Sequence, residues 1–299
     1  MNFQQLRIVR ETVRQNFNLT NVANALFTSQ SGVSKHLKDL EDELGLDLYV
    51  RKGKRLLGLT EPGKEMAVIV ERILQETANL KTLADEYNGQ DTGELAIATT
   101  HTQARYTLPT IISEFRKLYP RVHLKLYQSG PDEIVQLLRS GKVDIGIATE
   151  ALDQEQELTV FPLYSWHHSV IVPREHPLTL LEKPDLKQIA SYPIITYHEG
   201  FTGRSKVEKA FSQQGIEPDI VMSALDADVI KSYVELGLGI GIIASMAFDP
   251  NRDKTLQMLD TAHLFDENIT SIALKKGRVL REYVNRFIQL CSVKPVGGL

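Results

Sequence analysis

The stretch that most constrains this chain is residues 19–41, where two short runs with helical spacing meet at a turn. Thr20 is placed to cap the first helix, whose inner face is Val22, Ala23 and Leu26. Ser29 is placed to cap the second, because a hydroxyl satisfies otherwise orphaned backbone N–H groups. Val33, Leu37, Leu40 and Leu44 then recur on one side. The other side carries Gln30, Ser31, Ser34, Lys35 and Lys38, with Thr28 and Ser29 at the start of the helix. Such a face packs poorly against protein. It suits a DNA groove, since Gln pairs with two atoms of a base edge while Ser and Lys bind phosphate oxygens or base acceptors. A plain helical hairpin with a solvated surface has the same spacing, so the flanking residues have to decide.

Downstream, Arg51-Lys52-Gly53-Lys54-Arg55 is a basic turn followed by Leu56, Leu57, Leu59 and Thr60. It reads as a β-hairpin wing that carries Arg51, Lys52 and Lys54 to phosphates beside the groove. The alanine of the first helix, the run Ser29-Gln30-Ser31-Gly32-Val33-Ser34-Lys35-His36-Leu37-Lys38-Asp39-Leu40-Glu41, and then Leu44-Gly45, Leu48-Tyr49 and Arg51 follow in order. Together they resemble the signature of the LysR-type transcriptional regulators. The resemblance implies a winged helix-turn-helix domain over residues 1–60 that binds double-stranded DNA.

Charge is distributed accordingly. The net charge is −4 over 299 residues, yet residues 1–60 hold nine Lys and Arg against six Asp and Glu, which leaves −7 on the remainder. Only the N-terminal part is prepared to meet a polyanion. The length exceeds what one core organises, and 42% hydrophobic residues can fill two or three compact units. No apolar run is long enough for a bilayer and the N-terminus lacks a signal-peptide core, so a cytoplasmic protein with no membrane partner is expected. The lone Cys291 can form no internal disulfide and has no companions at metal spacing, so neither metal nor cofactor is expected.

Thr60-Glu61-Pro62-Gly63 reads as a helix start, and Met66, Val70, Ile73, Thr77, Leu80, Ala84 and Tyr87 follow in steps of four and three. Such a heptad seam is expected to pair two chains along a linker helix over residues 61–89, ending near Asn88-Gly89. The family resemblance implies the same dimerising helix, with a homodimer or homotetramer as the assembly.

From residue 90 onward, strands alternate with helices, which predicts parallel sheets with right-handed crossovers in two lobes, I (about 90–163 and 267–299) and II (about 164–266). Leu118-Tyr119-Pro120-Arg121-Val122, Gly141-Lys142-Val143-Asp144-Ile145-Gly146-Ile147 and Glu235-Leu236-Gly237-Leu238-Gly239-Ile240-Gly241-Ile242 resemble the effector domain of the same family, which has the periplasmic-binding-protein fold. The expected architecture is thus a two-lobed α/β effector domain joined by a linker helix to a mainly α winged helix-turn-helix domain.

In an open α/β sheet a ligand sits beyond the carboxyl ends of the strands, where helix N-termini offer free N–H groups. Thr99-Thr100-His101-Thr102-Gln103-Ala104-Arg105, Thr149-Glu150 and Gly200-Phe201-Thr202-Gly203-Arg204-Ser205 occupy such places and supply hydroxyls, an amide and backbone donors fit for a small oxyanion. These segments, with Asp226-Ala227-Asp228-Val229-Ile230-Lys231-Ser232-Tyr233-Val234, resemble the sulfur-assimilation branch of the family, the cysteine-regulon activators and their paralogue for sulfonate-sulfur genes. Position by position, that resemblance implies effector binding by Thr100, Thr102, Gln103, Thr149 and Thr202, with Trp166 lining the cleft. It implies an activator whose effector is sulfate, thiosulfate, adenylyl sulfate or acetylserine, and contact with RNA polymerase. Three other readings are weaker. A regulator of another pathway with a different small anion keeps the same fold. An enzyme is disfavoured because His101 and the pair His167-His168 have neither a nucleophile elbow nor ligand spacing. A transport solute-binding protein is opposed by the basic N-terminal domain.

Overall fold

The computed structural model describes residues 1–53, 55–87 and 92–293. Two compact units are present, residues 1–89 with 277–281 and residues 90–276 with 282–299.

The first unit opens with α1 (Phe3–Arg14), a helix not anticipated from the sequence. Its cap is reciprocal: Asn2 accepts the Gln5 N–H at 3.0 Å and Gln5 accepts the Asn2 N–H at 2.9 Å. α2 (Leu19–Ala25) is capped by Asn18 rather than Thr20, with Asn18 Oδ1 accepting from the Thr20 and Asn21 N–H groups at 3.1 and 3.2 Å. An amide oxygen satisfies the same orphan donors, so the helix begins before the hydroxyl-bearing residue. α3 (Gln30–Leu44) is capped by Ser29, which accepts the Gly32 N–H at 3.1 Å. Val33, Leu37 and Leu40 turn inward onto Leu6, Ile8, Val9 and Val22, forming one core. β1 (Tyr49–Lys52) and β2 (Arg55–Leu59) pair antiparallel as the wing, while Lys54 at its tip lies outside the described residues.

α4 (Glu61–Tyr87) starts where the sequence places it: Thr60 Oγ1 accepts the Gly63 N–H at 3.0 Å and donates to the Asp47 carbonyl at 2.7 Å. A Cβ on Gly63 would lie 2.1 Å from the Leu48 carbonyl oxygen, so only glycine lets the helix approach this closely. The expected end near Asn88-Gly89 falls outside the described residues. The heptad seam is divided. Val70 is buried, and Met66 and Ile73 pack partly buried on the core of the same unit. Thr77 is half-buried and its hydroxyl donates to the Ile73 carbonyl. Beyond it Leu80 is 69% and Tyr87 86% exposed, and Ala84 is exposed too. Half of the row read as an interchain seam therefore closes the chain's own core, because apolar spacing does not say which surface covers it. Asn79 is buried on this helix, donating to the Gly277 carbonyl at 2.7 Å and accepting the Val279 N–H at 2.9 Å.

In chain order the second unit comprises β3 (Gly93–Thr99), α5 (Leu108–Leu118), β4 (Val122–Gln128), α6 (Pro131–Arg139), β5 (Ile145–Ala148), β6 (Leu158–Trp166), β7 (His168–Pro173) and α7 (Leu186–Ala190). It continues with β8 (Ile194–Tyr197), α8 (Arg204–Gln213), β9 (Ile220–Ala224), α9 (Ala227–Glu235), β10 (Ile240–Ala244), β11 (Leu256–Met258), β12 (Asn268–Lys275) and α10 (Glu282–Val293). Two five-stranded sheets result, ordered β4-β3-β5-β12-β6 and β11-β7-β10-β8-β9. They are mixed rather than parallel throughout: β12 runs antiparallel to β5 and β6, and β7 antiparallel to β10 and β11. The sequence reading lacks β6, a half-exposed edge strand that contains Pro162, a residue an edge tolerates and a central strand does not. The chain passes from the first sheet to the second at His167 and returns with β12, so each lobe owns one sheet and the carboxyl ends of β3 and β5 face the start of α8.

Candidate functional site

On the first unit, the polar side of α3 is open to solvent: Gln30, Ser31, Lys35 and Lys38 are exposed and Ser34 is half-buried. Thr28 is half-buried just ahead of the helix, and Ser29 is held by its capping bond. Between α3 and the wing lies an open groove of about 650 Å³ bordered by Gln30, Ser34, Lys38, Asp47, Arg51 and Gly53. Lys52 is exposed and available to phosphate. Arg51 is not a free cation. Its guanidinium pairs with Glu41, a buried carboxylate whose other oxygen accepts the Leu48 and Tyr49 N–H groups at 2.8 and 3.2 Å. Glu41 thereby ties α3 to the wing, and Arg51 fixes the angle between them as well as lending charge to the groove.

On the second unit, three of the expected effector residues, Gln103, Thr149 and Trp166, meet at Thr270 on β12. Thr100 and Thr102 follow β3, and a turn of π-helix, Gln103–Thr107, leads into α5. Such turns often mark functional positions, and this one buries Gln103 at 1% exposure. Gln103 Nε2 donates to Thr270 Oγ1 at 3.1 Å, and its carbonyl accepts the hydroxyls of Tyr164 and Thr107. Trp166 Nε1 also donates to Thr270 Oγ1, at 3.0 Å, and Thr149 Oγ1 stands 3.4 Å from the same atom. With two N–H donors on it, the Thr270 oxygen has its own proton left for Thr149. The Thr149 hydroxyl is then free to donate to a ligand. Thr270, a residue the sequence reading missed, is the hub that aligns Gln103, Thr149 and Trp166.

Across the cleft, Thr202 and Gly203 take left-handed backbone angles, φ 47° and 69°. For a β-branched residue that conformation is strained, and such strain gathers at ligand sites. It turns the N–H groups of both residues toward Glu150, with Gly203 N donating to Glu150 Oε1. A Cβ on Gly203 would lie 2.2 Å from Asn268 Oδ1, so α8 starts against β12 only because this residue is glycine. His168 is buried beneath, its Nε2 donating to the Thr202 carbonyl at 2.9 Å and its Nδ1 accepting from Asn268 at 3.2 Å. Burial pushes the pKa of His168 down to about 4, which keeps it neutral and structural.

Several buried polar atoms around the cleft lack a hydrogen-bond partner. Among the described residues they are the hydroxyls of Thr99 and Thr102, His101 Nδ1, Glu150 Oε2, Arg204 Nε and Asn268 Oδ1. The Tyr197 hydroxyl lies near Thr102 without a well-formed bond to it. Unsatisfied polar atoms are uncommon inside proteins, and their concentration here marks a place built for a polar guest. His101, Asp226 and Asp228 also come within 4.8 Å of one another. Their donor set is a poor metal site, because Asp226 caps α9 and Asp228 is engaged by Arg105, Tyr106 and Lys231. Among the described residues no helix is long and apolar enough to cross a membrane.

Comparison with known proteins agrees with this division. Residues 3–64 match the family model for the bacterial regulatory helix-turn-helix protein, lysR family, and residues 88–293 match the LysR substrate binding domain. The chain is 57% identical over 290 residues to the HTH-type transcriptional regulator SsuR of Burkholderia cenocepacia, covering 97% of this chain and 94% of that protein. It is 54% identical over 292 residues to the HTH-type transcriptional regulator cbl of Escherichia coli K12, covering 98% and 92%. A crystal structure of the cofactor-binding domain of the Cbl transcriptional regulator, 50% identical, superposes with a TM-score of 0.66 over 68% of this chain and 89% of that one. The chain therefore belongs to the LysR family of bacterial transcriptional regulators, which are DNA-binding proteins with an effector domain and are not enzymes.

Proposed function

We propose that this regulator acts on sulfur-assimilation genes, as an activator, and that it reads sulfur status through a small sulfur-bearing anion or an acetylserine-type molecule in the cleft. The reading is supported by the burial of Thr100, Thr102, Gln103 and Thr202 and by the meeting of Gln103, Thr149 and Trp166 at Thr270 Oγ1. Among the described residues no Lys or Arg side chain is hydrogen-bonded to Thr100, Thr102, Gln103, Thr149 or Thr202, and the one imidazole that is, His168 on the Thr202 carbonyl, is held neutral. Neutral hydroxyls, an amide and a helix N-terminus suit a fully ionised oxyanion held by many donors. The identity to SsuR and Cbl and the cofactor-binding description of the Cbl domain support a small-molecule ligand at the same place.

At the other end of the chain, Gln30 reads base edges, Lys35, Lys38 and Lys52 contact phosphates, and Thr28, Ser29, Ser31 and Ser34 supply shorter contacts. Two chains pair along the exposed part of α4 to align two such helices, in a cytoplasmic dimer or tetramer. Effector binding between the lobes favours one closure state and so changes the spacing of the recognition helices. Melting of the full-length protein with sulfate, thiosulfate, adenylyl sulfate or acetylserine, against phosphate as a control, tests the ligand class. A ligand of the folded state raises the melting temperature in proportion to ln(1 + [L]/Kd). A rise with at least one sulfur ligand or acetylserine is expected, and a response to phosphate alone would assign the protein to another pathway.

A further inference from the structure

Glu150 stands apart from the other cleft residues because it is an anion placed where an anion is expected to bind. It follows Thr149 at the end of β5, in the first lobe, and reaches the start of α8, in the second. Gly203 N donates to its Oε1, and the Thr202 N–H faces it as well. These are the groups at a helix start that attract a negatively charged ligand. Its other oxygen, Oε2, is buried without a partner, as is Oδ1 of Asn268, a residue at 0% exposure that also borders Gly203. Two buried acceptors left without a donor, although the N–H groups of Gly203, Thr202 and Glu150 itself surround the carboxylate, describe a site that can take up a proton. A second acceptor-only group, such as sulfate, cannot join them unless that proton arrives.

We propose that Glu150 is the specificity gate of the cleft: as a carboxylate it occupies the α8 N–H groups, and an oxyanion takes them only as Glu150 releases them and binds a proton. The proposal rests on the reading that the cleft binds a small oxyanion. The exchange balances simply: the anion enters, one proton moves from solvent to a carboxylate oxygen, and the neutral carboxyl group then donates where the carboxylate could only accept. Burial pushes the carboxyl pKa up to about 7, against the downward pull of the N–H groups and of Lys206. The other charged or polar groups around it have partners or no titratable proton of their own to offer. Lys206, on α8, has its ammonium on the Glu267 carbonyl, and Arg204, at the start of α8, directs its two terminal nitrogens to the Tyr197 carbonyl and Glu208, its Nε alone being without a partner. His168, on β7, is held neutral, and Asn268 and Thr270, on β12, do not titrate.

The test is titration calorimetry of the full-length protein with sodium sulfate and with sodium thiosulfate, from about pH 6 to about pH 8.5 at fixed ionic strength. Two buffers of different ionisation enthalpy are used, on wild type and on Glu150→Gln. Both anions stay fully ionised over this range, so any change in affinity belongs to the protein. Wild-type affinity is expected to fall toward about tenfold per pH unit above neutrality, with uptake of close to one proton per anion read from the buffer dependence. Glu150→Gln, which keeps the shape and carries no charge, is expected to bind at least about tenfold tighter than wild type at the alkaline end and to lose the pH dependence. Proton uptake by wild type does not depend on how the variant folds. Binding by wild type that is flat with pH, an equal pH dependence in the two proteins, or loss of binding in a folded Glu150→Gln overturns the gate and leaves the oxyanion reading standing. Absence of binding by both folded proteins at every pH overturns the oxyanion reading and the gate with it.

Discussion

A hydroxyl buried without a partner is a cost to the empty protein that a ligand can remove, and Thr102 carries such a group at 1% exposure. Thr102→Val keeps the shape and deletes the hydroxyl. The variant is expected to melt no lower than wild type without ligand, yet to lose about 1–3 kcal/mol of effector binding by calorimetry while still retaining operator DNA. On α3 the roles divide differently. Gln30→Ala is expected to relax sequence preference by about 1–3 kcal/mol, whereas Lys35→Ala weakens binding to all DNA and lowers its salt slope. Binding curves on operator and random DNA at several salt concentrations separate the two. Residue by residue, the groups legible in the sequence are those at strand ends and helix starts, where local pattern already implies an open N–H or a cap. Thr270 lies 167 positions beyond Gln103 and shares no local pattern with it, so only the antiparallel return of β12 reveals it as the hub. Glu150 and Asn268 become informative only through their unpartnered oxygens, which depend on the packing around them.

Among the elements, α4 carries the sharpest lesson about pattern and environment. Its heptad row is real, but Met66, Val70 and Ile73 spend it on the N-terminal core, while Leu80, Leu83 and Tyr87 leave theirs exposed. A pair of substitutions at the exposed end, Leu80→Asp with Leu83→Asp, is therefore expected to split the assembly without unfolding the chain, because each places a charge in the proposed helix-to-helix contact. Light scattering reads the mass and circular dichroism the fold. An unchanged mass in the folded variant would mean that the chains pair elsewhere. Helix periodicity identified α3 and α4 because each has an apolar stripe and a hydroxyl cap, Ser29 and Thr60. β6 escaped because an edge strand that contains a proline and exposes much of its length lacks the apolar run of a buried strand. Its omission also made the sheets look parallel, since β12 crosses between β5 and β6.

At the scale of the whole molecule, a chain of net charge −4 binds a polyanion only because its positive charge is collected in one domain. The order of a DNA-reading unit, a long helix and two α/β lobes was legible from motif order and from the change in periodicity near residue 90. The place of residues 277–281 in the first unit was not, because it rests on contacts distant in sequence: Asn79 bonded to the Gly277 carbonyl and the Val279 N–H, and Arg281 paired with Asp85. In the proposed mechanism, occupancy of the cleft changes how the protein holds DNA. Linkage requires that an effector which alters DNA binding be itself bound differently on DNA. The most direct measurement is footprinting of the purified full-length protein on genomic fragments, including those upstream of sulfur-assimilation genes, with and without sulfate, thiosulfate, adenylyl sulfate and acetylserine. Protection of paired half-sites upstream of sulfur genes is expected, with an extent or spacing that shifts when one of these ligands is added. Protection that is identical with and without every one of them, in a protein shown by calorimetry to bind at least one, would contradict it.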